Sequence, residues 1–224
     1  IPFDLNEGYL DYQFLDTDRE GQRIKAVLAA SKKTMIEELR SLFQTASLSL
    51  HVVDVEGFAL CNCFEYNYPE RIPASSYILD IGSTTSIFCV YSQGYPLFIR
   101  DLGIGGEHIT NRIAKSLNMN HTEAEQLKLA GPENSEITGK DKVAREINSS
   151  IAAWTDDIQR LITLYQNSQE QAETPDKLYI SGGGSLYPGL KDIFASELNL
   201  EVEHINPLRQ IAVQERYFDS DYLM

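Results

Sequence analysis

Apolar and polar positions along this chain recur with a period that switches between two and about three and a half, and the switches mark its elements. Gly8 to Leu15 and Ile24 to Ala29 are β-prone runs separated by the polar stretch Asp16 to Gln22, which predicts a hairpin. Met35, Ile36, Leu39, Leu42 and Phe43 fall at helical spacing, so a helix is expected from a cap at Ser31 to about Thr45. Leu48 to Val53 reads as a buried strand. Phe58 to Phe64 opens a second short helix before a loop rich in Pro and Tyr.

From Ser76 onward the pattern sharpens. Tyr77 to Ile81, Ile87 to Tyr91 and Pro96 to Arg100 are short β-prone runs joined by the turns Gly82 to Thr85 and Gln93-Gly94, which predicts three strands in antiparallel succession. Gly103, Gly105 and Gly106 break the period, and Ile109, Ile113 and Leu117 resume it as an amphipathic helix. Another short helix is expected over about Thr122 to Leu129. Val143, Ile147, Ile151, Trp154, Ile158, Leu161 and Tyr165 recur every three or four residues, the mark of a long helix whose stripe needs only core packing to explain it. A strand from Lys177 to Ser181, a glycine turn, a helix opening near Pro188 and a strand from Glu201 to Ile205 complete the chain.

With 224 residues the chain can bury a core. Its formal charge of -14 gives no broad footprint for phosphate backbones or anionic lipid, so no nucleic acid is expected as a partner. No apolar run reaches the roughly 18 to 20 residues of a membrane span, so no direct membrane insertion is expected and the chain reads as soluble and cytoplasmic. Cys61, Cys63 and Cys89 lack a second pair at zinc spacing and read as reduced thiols. His51, His108, His121 and His204 show no ligand spacing. No G-x-S-x-G nucleophile elbow occurs. Ile1, rather than Met, opens the chain, and an upstream segment is expected.

Two turns carry candidate chemistry. In Asp80-Ile81-Gly82-Ser83-Thr84-Thr85 an acid ends a strand, a glycine lets backbone approach an anion, and hydroxyls offer donors to phosphate oxygens. Asp80 would hold a magnesium-bound water, since that ion keeps most of its water shell. An ordinary hairpin with a polar turn accounts for the same residues. Ser181-Gly182-Gly183-Gly184-Ser185 follows a strand and precedes a helix start, where glycines let a flat base or a phosphate lie against backbone. It is neither a G-x-G-x-x-G fingerprint nor a P-loop.

Read in order, IPFDLNEGYLDYQFL (1–15), VDVEGFA (53–59), LDIGSTT (79–85), GGEHIT (105–110), AEQLK (124–128) and ISGGGSLYPGL (180–190) resemble the PilM family of actin-like type IV pilus assembly proteins, relatives of the cell-division protein FtsA. The resemblance covers nearly the whole chain and implies an α/β, actin-like ATPase fold of RNase H-like subdomains, truncated at both ends. By it, residues 1–70 are the remainder of the first lobe, with the end of an insertion subdomain at 1–23 and part of subdomain 1A at 24–70. Residues 71–224 are then the second lobe, subdomains 2A and 2B. The family's first phosphate loop and last helix are absent from this sequence.

The same resemblance implies the site. Asp80, Gly82, Ser83 and Thr84 match the second phosphate loop, with Asp80 also the catalytic and metal-side carboxylate. Gly105 and Gly106 match the turn beside the nucleotide, Glu125 and Lys128 the ribose-side pair, and Gly182, Gly183 and Gly184 the adenosine turn. Glu125 and Lys128 share a helix face by their spacing, and a solvated ion pair explains them equally. Asp54 and Glu56 lie near the family's water-orienting position, and the choice between them stays open.

ATP and Mg are the implied cofactors, expected to bind this chain weakly or not at all without the first phosphate loop, with at most slow ATPase activity. The implied partners are a PilN-like cytoplasmic peptide that tethers the protein to the inner membrane, other platform proteins and motor ATPases of the pilus and of twitching motility. Self-association through residues 1–29 is a further expectation. A nucleotide-free scaffold, as in the L proteins of type II secretion, and a small-molecule kinase of the same fold are the alternatives. For the kinase no acceptor-side base stands out.

Overall fold

The computed structural model describes residues 3–17, 24–131, 139–168 and 174–212. The chain divides into two compact units, residues 1–59 and 60–224.

In the first unit β1 (Gly8–Thr17) and β2 (Ile24–Lys32) pair antiparallel, from Gly8 opposite Lys32 to Thr17 opposite Ile24, with a register shift between Phe14 and Asp16. Of the expected turn, Asp16 and Thr17 end β1, and residues 18–22 lie outside the described residues. β2 runs further than the sequence pattern suggested. Ser31 therefore sits in the ladder opposite Tyr9 instead of capping a helix, and α1 (Lys33–Thr45) starts after Lys32, which offers no side-chain cap.

Leu48 to Val53 is also corrected: it forms no strand, and Leu48 and Val52 are 59% and 77% exposed. A strand needs a neighbour for its N–H and C=O groups, and no described strand pairs with this segment.

α2 (Glu56–Asn67) begins in the first unit and continues into the second. The unit boundary at 59/60 falls earlier than the one expected after residue 70, because Cys61 and Phe64 of α2, and Tyr68 just beyond it, are buried against the sheet of the second unit. That sheet contains β3 (Ser76–Ile81), β4 (Ser86–Ser92), β5 (Tyr95–Leu102), β6 (Lys177–Ser181) and β7 (Glu201–His204), in the order β5-β4-β3-β6-β7. β3, β4 and β5 form the antiparallel succession read from the sequence; β6 runs parallel to β3, and β7 parallel to β6.

Side chains of a strand alternate between faces, so the sheet sorts its residues by parity. Tyr77, Leu79, Ile81, Phe88, Val90, Leu178 and Ile180 join one buried cluster with Ile113, Ile147, Trp154 and Phe194. These last come from α3 (Gly106–Leu117), α5 (Lys140–Ser168) and α6 (Leu190–Leu198). Ile78, Ile87, Cys89, Tyr91 and Tyr179 face the other way, onto Phe64 and Tyr68. α4 (His121–Ala130) is capped by the Asn120 side chain, which accepts from the Glu123 N–H, and follows the left-handed Asn118 that ends α3. α6 starts at Leu190 behind a left-handed Gly189, so Pro188 precedes it instead of occupying its first turn.

Cys61, Cys63 and Cys89 are free. Cys61 and burial together push the Cys89 thiol far up, which fits a reduced, unreactive core pair. Among the described residues no helix is long and apolar enough to cross a membrane, and no cluster of His, Cys, Asp and Glu could hold a metal ion.

Candidate functional site

β3 and β6 are parallel neighbours, with Asp80 opposite Ser181, so their carboxyl ends stop side by side. β3 continues into the turn at Gly82 and β6 into the turn at Gly182. A crevice outside the carboxyl ends of parallel strands is where open α/β sheets hold ligands. Here that place is a cleft of about 560 Å³, lined by Gly82, Ser83, Gly106, Glu125, Lys128, Gly183 and Gly184 among others.

Four of the glycines are dictated by close contact, three with backbone and one with a side chain. A Cβ on Gly105 would stand 2.3 Å from the Ser83 carbonyl oxygen, and one on Gly82 2.6 Å from that of Thr85. Gly182 has φ +79°, in the left-handed region, and its Cβ would meet the Ile81 oxygen at 2.4 Å. A Cβ on Gly184 would press the Ile81 side chain at 2.4 Å. Gly183 differs from these four. A Cβ there meets nothing within 4 Å, and its φ is not positive, so the fold does not require glycine at this position. It lies open to the cleft.

The β3–β4 turn is fastened to the start of α3: the Gly106 N–H donates to the Gly82 carbonyl at 3.1 Å and the Glu107 N–H to the Ser83 carbonyl at 2.8 Å. Two of the amides that an anion would seek at this helix N-terminus are thus already used within the protein. The Ser83 side chain remains as a donor of the lining.

Lys128 is the hub of the polar wall. Its Nζ lies 2.7 Å from Glu125 Oε2 and donates to Thr110 Oγ1 at 3.0 Å and to the Gly106 carbonyl at 3.2 Å. Thr110 hydrogen-bonds Glu125 in turn. Burial alone would raise the Glu125 carboxyl, but hydrogen bonds from Lys128 and Thr110 and the nearby Lys128 charge outweigh it and hold the group below the ordinary carboxylate range. At the rim His121 Nε2 is 2.6 Å from Glu107 Oε1. Ile109, Leu129, Trp154, Leu186, Tyr187 and Pro188 supply apolar surface. A fixed ammonium–carboxylate pair, a hydroxyl turn and flat apolar walls suit a ligand with an anionic tail, hydroxyl groups and a flat ring.

Not every residue singled out from the sequence lines the cleft. Thr84 is exposed at the tip of its turn. Asp80 belongs to the opposite face of the sheet from Leu79 and Ile81, where its Oδ1 accepts from Ser181 Oγ at 2.7 Å. Gly105 and Gly182 lie behind the lining and act through their close contacts. The 105–110 motif contains Glu107 and Thr110 without distinguishing them from its other residues, and His121 carries no motif that would select it. Trp154 reads as a core residue and is one, at 3% exposure, while also walling the cleft.

The sequence model of a family described as "Type IV pilus assembly protein PilM" matches residues 1–223. Among solved structures, the chain superposes on one described as "PilM-PilN type IV pilus biogenesis complex" with a TM-score of 0.85 at 25% identity, covering 100% of this chain and 63% of that one. MreB 5 of Spiroplasma citri bound to AMPPNP gives 0.58 at 15% identity over 78% of this chain and 60% of that one. Ta0583, an archaeal actin homolog, gives 0.52 at 15% identity over 82% and 56%. The last two likenesses show the fold, which is actin-like. The chain spans less than two thirds of the length of each of these structures.

Proposed function

The chain belongs to the family of the type IV pilus assembly protein PilM, and from that premise we propose that it is part of an actin-like, ATP-binding cytoplasmic assembly protein whose second unit holds the nucleotide. The observation that carries the reading is the convergence of separate sequence motifs on one cleft: Ser83 from the β3–β4 turn, Gly106 from the start of α3, Glu125 and Lys128 from α4, and Gly183 from the turn after β6. In this reading the Lys128–Glu125 pair meets the ribose hydroxyls, the open face of Gly183 receives the adenine, and Ser83 points the phosphate tail.

Asp80 fits a supporting role toward magnesium. Ser181 takes one of its carboxylate oxygens, and a carboxylate keeps further lone pairs for a metal-bound water. Because Asp80 stands outside the cleft lining, it would act through that water. Magnesium, when bound, neutralises phosphate charge; this chain's residues orient and hold. In this reading nucleotide serves assembly more than turnover, with at most slow hydrolysis.

For the partner, the first unit supplies a groove of about 550 Å³ between β1, β2, α1 and residues 53–55, with Tyr9, Tyr12, Val27, Ile36 and Phe58 in its walls. We assign it to a PilN-like cytoplasmic peptide, which would hold the protein at the inner membrane. Support comes from the solved PilM–PilN complex, whose likeness extends over this whole chain.

Calorimetric titration of magnesium AMP-PNP into the chain tests the nucleotide half. Weak but saturable binding is expected, lost in Gly183→Val, a substitution at a position where an added Cβ meets nothing within 4 Å and which lines the cleft. Wild-type binding that survives Gly183→Val would contradict the assignment of the site. No binding at millimolar nucleotide would contradict nucleotide binding by this unit and leave a nucleotide-free scaffold.

A further inference from the structure

The glycine turn after β6 is pinned on more than one side. From below, Gly182 and Gly184 rest on Ile81 so closely that a Cβ at either would collide with it. Internally, the Ser185 N–H and Oγ both donate to the Gly182 carbonyl, at 3.0 and 2.7 Å. The Ser185 carbonyl is then left facing β7, where His204 Nε2 lies 2.9 Å away. A carbonyl oxygen only accepts, so the contact fixes the ring as the tautomer, or the cation, that carries a proton on Nε2.

His204 does not reach that carbonyl from a loose segment. Its backbone pairs with Ile180 in the parallel register of β6 and β7, and the next N–H, of Ile205, donates to the Ile180 carbonyl at 2.8 Å. Tyr68, buried just past α2, ties the same stretch from the other side: its Oη accepts from the Asn206 N–H at 2.8 Å and donates to the His204 carbonyl at 3.4 Å. The imidazole is therefore a donor held by two anchors and aimed at the one turn whose middle residue, Gly183, opens to the cleft.

We infer that His204 is a positioning residue that sets the glycine turn at the height the ligand requires, without touching the ligand itself; it is absent from the cleft lining. The inference rests on the reading of the cleft as a nucleotide site, and it deepens that reading. A sequence pattern gives no hint of it: His204 ends an edge strand, nineteen residues from Ser185. Losing the donor leaves a partly buried carbonyl without its partner, so the turn opens more often.

Hydrogen exchange of the backbone amides of residues 183–187 in the ligand-free chain tests the clamp, and AMP-PNP affinity is measured in parallel. His204→Ala is expected to raise exchange in this turn roughly two- to tenfold and to weaken AMP-PNP by a similar factor, the size of one lost hydrogen bond. His204→Gln keeps an N–H donor and should restore both toward wild type, whereas His204→Phe, similar in bulk, should not. Unchanged exchange in His204→Ala, or equal effects of Gln and Phe, would overturn the inference. A wild-type chain that binds no AMP-PNP would count against the nucleotide reading alone, since the exchange arm is run without ligand and decides the clamp by itself.

Discussion

Phe64, Phe88 and Trp154 of the second unit are at most 3% exposed, whereas Tyr12, Phe14 and Leu28 of the first are more than half exposed. The described hydrophobic core begins at Cys61 and lies wholly in the second unit. Both units form regular hydrogen-bonded strands, so the contrast is one of packing. In the second unit helices cover both faces of a five-stranded sheet, and buried side chains fix where the turns end. The first unit has a two-stranded ladder, a helix and a groove. A ladder of that size is marginal by itself. A rigid sheet end suits a site whose glycines must sit within tenths of an ångström; exposed apolar walls suit a surface that a peptide covers.

The contrast is broken most directly by truncating a large side chain on each side of it. Phe88→Ala should lower the stability of the second unit by about 3–5 kcal/mol, the cost of emptying a filled core site. Phe14→Ala in the first unit should change stability by no more than ~0.5 kcal/mol, as for an exposed position. Urea unfolding followed by circular dichroism measures both, and equal losses would show that the first unit is packed as tightly as the second.

A smaller effect separates the glycines of the cleft. Gly182→Ala forces a left-handed backbone and a collision with Ile81, so it should cost about 1–3 kcal/mol. Gly183→Ala should move the unfolding midpoint hardly at all. If both substitutions cost the same, Gly183 is structural and its open face is no evidence of a ligand.

The smallest effect is electrostatic. Glu125 titrates below its unfolded range, so the pair with Lys128 contributes stability above the ordinary carboxylate value of 4.5 and loses it as pH falls through the depressed folded value. The stability difference between wild type and Glu125→Gln should be flat from neutral pH down to the ordinary carboxylate value of 4.5, about 0.2–1 kcal/mol for a partly solvated pair, and shrink as pH falls from there through the depressed folded value. A difference that grows on acidification would reverse the sign of this account.

The hairpin of the first unit, the β3–β4–β5 succession, the long α5 and the strand–glycine–helix unit were legible because each follows from local period and turn chemistry. The fold family was legible from six short motifs in order. What escaped depended on neighbours in space. The apolar run 48–53 has the composition of a strand but lacks a partner among the described strands. Ser31 is a good cap in isolation and yields to the ladder with Tyr9. Thr110 meets the Lys128–Glu125 pair, and His204 the turn after β6, through neighbours in space, contacts that no spacing along the chain announces.

The central claim is that nucleotide belongs to the second unit and peptide to the first. Amide chemical-shift mapping of the isotopically labelled chain, titrated first with magnesium AMP-PNP and separately with a PilN-like N-terminal peptide, tests it most directly. The account predicts nucleotide-dependent shifts at Ser83, Gly106, Lys128 and Gly183 with the groove residues Tyr9, Val27 and Ile36 unmoved, and peptide-dependent shifts at those groove residues with the cleft unmoved. Nucleotide shifts centred on the groove, or peptide shifts centred on the cleft, would contradict it.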